Sequence, residues 1–210
     1  MNRIRIKICG VATVEDAKVC SDLGADMIGL NFCSRSPRAI DVATARRIVA
    51  AIPNDRQVVG VFVDATADKI RAIAKATGIS TVQLHGGTTP EICSDLAREF
   101  RVIRALRTNK DFRPEMAVSF ANCDILLDAW HPELHGGTGD TCDWSLARET
   151  FAFTRFLFLS GGLNQQNVEA ALNAVNPHAV DICSGVESTP GIKNHTKLEA
   201  FIAIVRAHKR

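Results

Sequence analysis

The chain has 210 residues, 46% hydrophobic and 23% charged, with a formal net charge of +2 and no block of one sign. That balance suits a globular protein folded as one domain, residues 1–210, and gives no electrostatic basis for partnership with nucleic acid or an anionic membrane. An anionic ligand would therefore have to be held by a local site. No uninterrupted apolar run approaches a membrane span, and the opening MNRIRIKICG alternates apolar with charged residues, unlike a signal or transit segment. Seven cysteines, an odd number with no CxxC spacing, argue against a disulfide framework or a zinc ribbon. The expected compartment is reducing and cytoplasmic, with most thiols serving as small apolar groups.

In chain order, short apolar runs alternate with segments of helical period. The predicted strands are Ile4–Ile8, Met27–Phe32, Val58–Val63, Thr81–Leu84, Val102–Leu106, Ile125–Leu127, Phe156–Leu159 and Val180–Ile182. Thr13 is placed to cap a helix that stops near Gly24. Asp41 precedes the stripe Val42, Ala45, Ile48, Val49 and Ile52, and Thr66 precedes Ile70, Ile73 and Ala74 with Gly78 at the end. Thr89-Pro90 is a cap followed by proline at the first helical position. Helices are also expected near Asp111–Ser119 and Trp144–Phe151, after Asn164, and after a capping box of Thr196 and Glu199. Strict alternation predicts a parallel sheet, and eight strand-helix units predict a single-domain (βα)8 TIM barrel, with an open doubly wound sheet as the alternative.

In a barrel the loops after the strands share one face, and chemistry gathers there. Those positions hold Cys9-Gly10, Ser36-Pro37-Arg38, His85-Gly86-Gly87, Asp128, Ser160-Gly161-Gly162 and Cys183-Ser184-Gly185. The glycine turns after strands seven and eight predict a phosphate site of Gly161, Gly162, Ser184 and Gly185, because glycine lets backbone N–H groups approach an anion closely. Cys9 is either an inert buried thiol or a base at the barrel mouth. Asp128 is either a loop-capping carboxylate or a general acid. Arg38 has the planar fork that pairs with a carboxylate, and His85 is a candidate ligand donor. The loop 129–143, with Trp130, two histidines and GGTG, is long enough for a lid.

Together these residues resemble the phosphoribosylanthranilate isomerases of tryptophan biosynthesis. The resemblance is carried by Lys7-Ile-Cys-Gly10, Ser36-Pro-Arg38, Val61-Phe-Val63, Val82-Gln-Leu-His-Gly86, Leu127-Asp128, Gly136-Gly-Thr-Gly139 with Asp143-Trp144, Ser160-Gly-Gly-Leu163, and Asp181-Ile-Cys-Ser-Gly-Val-Glu187 with Pro190-Gly-Ile-Lys193. It implies an Amadori rearrangement of N-(5-phosphoribosyl)anthranilate with Cys9 as general base and Asp128 as general acid. It further implies Arg38 on the anthranilate carboxylate, His85 and Asp181 in the substrate pocket, and Gly161, Gly162, Ser184 and Gly185 on the phosphate. No metal or organic cofactor is implied, because the substrate's own iminium nitrogen is the electron sink; the oligomeric expectation is a monomer or homodimer.

Three positions depart from the family pattern: Cys183 stands where serine is usual, Cys142 where phenylalanine is usual, and Asn194 where aspartate is frequent. Closure of the barrel would put Cys183 on the strand beside Cys9. The competing readings are a phosphosugar epimerase, which would need metal-ligating histidines at several strand ends, and a non-catalytic phosphate-binding barrel. An isomerase that also serves histidine biosynthesis is disfavoured, because such enzymes use aspartate where strand one here ends in cysteine.

Overall fold

The computed structural model describes residues 3–128 and 144–208. The expected strands all form: β1 (Arg5–Ile8), β2 (Met27–Asn31), β3 (Gln57–Val63), β4 (Thr81–His85), β5 (Arg101–Arg107), β6 (Asp124–Asp128), β7 (Leu157–Ser160) and β8 (Ala179–Ile182). They pair in sequence order and close into a barrel, every pair parallel. The closing seam sets Lys7 of β1 opposite Asp181 of β8, and Ile8 opposite Ile182.

Strand periodicity divides the side chains into two sets. One set, including Ile6, Ile8, Ile28, Leu30, Val82, Leu127 and Val180, packs outward with the helices in the main core. The other set, Met27, Val59, Ile103, Ala105, Leu126, Phe158 and Ala179, forms a separate buried plug inside the barrel. Because the plug fills the lumen, any cavity must lie above or below it.

The helices form where caps and apolar stripes place them: α1 (Val14–Asp22), α2 (Val42–Ala51), α3 (Ala67–Thr77) and α4 (Pro90–Leu96). Thr13, Asp41, Thr66 and Thr89 each accept a backbone N–H three residues on, and Gly78 ends α3 in the left-handed conformation. Two expectations need correction, the helix after β5 and the start of α7, and two others gain detail. The segment expected as a helix over Asp111–Ser119 is a 3-10 helix, Pro114–Phe120. Its buried residues, Pro114 and Ala117, are three apart, the spacing that a three-residue turn stacks. The next helix, α5, spans Trp144–Thr150, and Phe151–Phe153 continues it as a 3-10 turn. Asn164 does not cap α6 (Val168–Val175): its Oδ1 accepts from Gln166 and Asn167 N–H, making a polar turn ahead of the helix. The last helix, α7 (His195–Ala207), starts one residue before Thr196, and Asn194 caps it by accepting from Lys197 N at 3.0 Å.

One element had no counterpart among the expectations. Strands β9 (Glu187–Thr189) and β10 (Ile192–Lys193) form an antiparallel hairpin between β8 and α7. Lys193 N donates to Asp16 Oδ2 at 3.3 Å, and His195 Nε2 lies 2.8 Å from Asp16 Oδ1, so the hairpin is tied down on α1.

The α7 start can be tested by substitution. Asn194→Ala should lower unfolding free energy by about 1 kcal/mol, the usual worth of an N-cap. Exposed Thr196→Ala should change it by no more than about 0.5 kcal/mol. Urea denaturation of both variants reads the difference.

Candidate active site

The end of the barrel at which the strands finish opens into a cavity of about 280 Å³. Its walls include Cys9, Asn31, Arg38, Gln83, His85, Asp128, Ser160, Gly161, Gly162, Asp181, Cys183 and Ser184. Most of these are the lumen-facing residues next above the apolar plug, brought together because parallel strands deliver their last inward side chains to one rim. Of the sequence-predicted residues, Cys9, Arg38, His85, Asp128, Gly161, Gly162, Asp181 and Ser184 line this one cavity. Gly185 stands just outside the lining, in the 3-10 turn Ser184–Val186, where a Cβ would collide with the carbonyl oxygen of Leu163. Its role there is the close approach of the two glycine turns. The expected 129–143 lid, with its GGTG motif, Cys142 and Asp143, lies outside the described residues.

A larger hollow of about 480 Å³ opens at the opposite mouth, lined by Arg5, Gln57, Phe156 and His178 among others. Its Arg3 is paired with Asp26, and Arg5 lies over the Phe156 ring. It lies at the strands' N-terminal ends, away from the face where barrel chemistry gathers, and none of the sequence-predicted site residues lines it.

The floor of the smaller cavity is ionic. Lys7 is fully buried, and its Nζ donates to Asp181 Oδ1 at 2.6 Å. Asp181 Oδ2 accepts from Ser160 Oγ at 3.2 Å. Cys9 sits above Lys7, and four influences act on its thiol. A hydrogen bond from the Cys183 thiol favours the thiolate, burial opposes it, the Lys7 ammonium favours it again and the Asp181 carboxylate opposes it, bringing the pKa down to about 7. The Cys183 thiol is itself pushed up, since it donates to Cys9 and is buried. It also has Glu187 Oε1 at 3.8 Å as a second acceptor.

The wall beside Cys9 is built by residues that gave no functional signal in the sequence. Arg38 clasps Glu187 through Nε at 2.9 and 3.1 Å and Nη2 at 2.5 Å. Lys193 donates to Glu187 Oε1 at 2.9 Å and to the Cys9 carbonyl at 2.6 Å. Arg38 is therefore an arginine held in place by the β9–β10 hairpin, 20% exposed at the cavity edge. Lys7, Glu187 and Lys193 lay inside the motifs of the sequence, but nothing in spacing assigned them partners more than 140 residues away in Asp181, Arg38 and Cys9.

Across the cavity, Gln83 Nε2 and His85 Nε2 are 2.6 Å apart. Burial and the neighbouring cations pull His85 down to about 4, so it is neutral at physiological pH. Gly161 and Gly162 have φ of 89° and 66°, and the turn they make presents backbone to the cavity. Among the described residues, the N–H groups of Gly162 and Ser184 donate to no other backbone or side-chain group, which leaves them available to an anion. No cluster of three or more His, Cys, Asp or Glu suited to a metal exists among the described residues.

The low His85 pKa has a measurable sign. The unfolded chain takes up the proton near the ordinary ~6.5, before the folded protein does, so this group contributes stability that is lost as pH falls from there toward about 4. An NMR titration should show the His85 ring charging with a midpoint near 4; a midpoint at or above 6.5 would contradict its buried, neutral state.

The chain is similar to known proteins along nearly its whole length. The family model for N-(5'phosphoribosyl)anthranilate (PRA) isomerase matches residues 6–204. An N-(5'-phosphoribosyl)anthranilate isomerase of Pelobacter propionicus is 41% identical over 97% of this chain and 96% of its own length. The crystal structure of phosphoribosyl anthranilate isomerase from Thermotoga maritima superposes with a TM-score of 0.91 at 40% identity, covering 98% of this chain and all of that one. A crystal structure of phosphoribosyl anthranilate isomerase (PRAI) in complex with reduced 1-(o-carboxyphenylamino)-1-deoxyribulose 5-phosphate superposes with a TM-score of 0.88 at 38% identity, covering 98% of this chain and all of that one. By a family match that spans nearly the whole chain and by relatives covered from end to end, this protein belongs to the N-(5'-phosphoribosyl)anthranilate isomerase family.

Proposed function

We propose that the chain converts N-(5'-phosphoribosyl)anthranilate to 1-(2-carboxyphenylamino)-1-deoxyribulose 5-phosphate, a step of tryptophan biosynthesis, with Asp128 as general acid and Cys9 as general base. The observation that carries these roles is a single cavity that gathers Asp128 from β6 and a Cys9 thiol lowered to about 7 from β1. Acid and base on separate strands can address the two ends of the reacting sugar at once.

The reaction runs in two proton transfers. Protonated Asp128 gives its proton to the furanose ring oxygen as the C1–O bond breaks, and the anilino nitrogen's lone pair forms the iminium. Cys9 thiolate removes the proton from C2, and the electron pair moves through C1 to the iminium nitrogen. The enolamine that results tautomerises to the ketone. The nitrogen serves as the electron sink throughout, so the chemistry asks for no metal and no organic cofactor. A thiol with a pKa near the working pH is well matched to that second step.

The remaining contacts follow the substrate's charges. Arg38, oriented by Glu187, is the group for the anthranilate carboxylate. Gly161, Gly162, Ser184 and Gly185 cradle the phosphate, supported by the N–H groups of Gly162 and Ser184, which donate to no other group among the described residues. His85 and Asp181 complete the substrate pocket, His85 as a neutral ring and Asp181 as a carboxylate committed to Lys7 and Ser160. On this reading residues 1–210 are one catalytic domain of a cytoplasmic enzyme, monomeric or homodimeric.

Turnover of phosphoribosylanthranilate generated in situ, followed by loss of its fluorescence with EDTA present, tests the assignment. Wild type should convert it, while Cys9→Ala and Asp128→Asn should each be slower by about 100-fold or more. Absence of wild-type turnover would overturn the reading, and loss of activity to EDTA would favour a metal-dependent epimerase. Because the base must be deprotonated, the rising limb of kcat/KM against pH should have its midpoint near 7. A pH–rate profile with its rising limb near 8.5 or above would show that Cys9 is not tuned in the working enzyme.

A further inference from the structure

The interior of a (βα)8 barrel is normally filled with apolar side chains. Lys7 interrupts that pattern: it is a lumen-facing residue of β1, 0% exposed, immediately beneath the cavity. Burial alone would pull its pKa down, but the neighbouring Asp181 and Cys9 more than reverse this, and it stays charged. The Asp181 pair explains how the charge is tolerated. It does not explain why a charge is there, since two apolar residues in the same space would serve stability as well or better.

The neighbouring strand answers this. A Cβ built on Gly29 of β2 would stand 3.0 Å from Cys9 Sγ and 3.1 Å from Lys7 Nζ. The sulfur and the ammonium thus border one space that the missing side chain leaves open, and the ammonium favours the charged sulfur. We propose that Lys7 is a positioning residue of the site: its buried ammonium holds the Cys9 sulfur as a thiolate, and Gly29 provides the gap in which the two meet. This rests on the reading of Cys9 as the base and adds the residue that makes it one.

The other groups around Cys9 are placed less well for that task. Asp181 repels a thiolate. Cys183 is a neutral, weak donor and divides its proton between Cys9 and Glu187. Lys193 directs its ammonium to the Cys9 and Cys183 carbonyls and to Glu187, and Arg38 is clasped by Glu187. Asp128 and neutral His85 face the same cavity from β6 and β4. Lys7 brings a full positive charge to the Cys9 sulfur from a fixed, buried position and acts beside the Cys183 hydrogen bond.

The test reads the thiolate directly and does not need turnover. Iodoacetamide alkylation of Cys9, followed by mass spectrometry of its peptide across a pH series, should give a wild-type midpoint near 7. Lys7→Met should move that midpoint upward by about one unit or more, leaving roughly a tenth of Cys9 as thiolate at neutral pH. Since Lys7→Met strands a buried carboxylate, Lys7→Met/Asp181→Asn is measured beside it and should also move up. Gly29→Ala, which crowds sulfur and ammonium apart, should shift in the same direction, whereas Cys183→Ser should stay within about 0.5 unit of wild type. An unchanged midpoint in the folded Lys7 variants, or a shift seen only on replacing Cys183, overturns the proposal. If wild type fails to turn over substrate while the midpoints shift as stated, the isomerase reading fails and the lysine–thiolate pair stands. Turnover with unshifted midpoints gives the reverse.

Discussion

The ion pair between Lys7 and Asp181 is the constraint on which the site depends. The two residues are register partners across the seam where β1 meets β8, so the pair forms only when the barrel closes. Taking both charges out of water costs several kcal/mol per ion before their attraction is counted. Short geometry and the extra Ser160 hydrogen bond to Asp181 offset that cost. What the pair provides beyond stability is a fixed positive charge directly under a cysteine, at the one level of the lumen where the apolar plug gives way to the cavity.

A second network sets the lateral wall. The hairpin β9–β10 carries Glu187 and Lys193 back over the barrel rim, where they grip Arg38 and the Cys9 carbonyl. This makes a flexible arginine into an oriented fork before any ligand arrives, which lowers the entropy lost on binding a carboxylate. Asp16 holds the hairpin from beneath through Lys193 N and His195, so α1 and α7 also contribute to the wall's position.

The charges of the site are local, as a net charge of +2 requires. The substrate of this family carries a carboxylate and a phosphate. Among the described residues, the cavity is lined by one arginine, Arg38, and by the two glycine turns instead of a broad basic surface. Neutral His85 and the thiolate-prone Cys9 then face the same cavity, over a floor made by the Lys7–Asp181 ion pair.

The sequence by itself determined the barrel, because each strand and most caps are local patterns: eight short apolar runs, Thr13, Asp41, Thr66 and Thr89 at helix starts, Gly78 at a helix end. It also determined which residues stand at the C-terminal rim, since a strand's last inward side chain is fixed by its period of two. It misplaced the α7 cap and the 3-10 helix after β5, where several residues compete for one backbone donor or too few buried positions exist to select a helix type. Only the tertiary structure decided the partners: Lys7 with Asp181, Arg38 with Glu187, Lys193 with the Cys9 carbonyl, and Cys183 beside Cys9. These contacts join segments that are up to 184 residues apart, and no local spacing encodes which buried charge will meet which. The chemistry of Cys9 is set by those partners, so the sequence could name the cysteine and only the closed barrel could tune it.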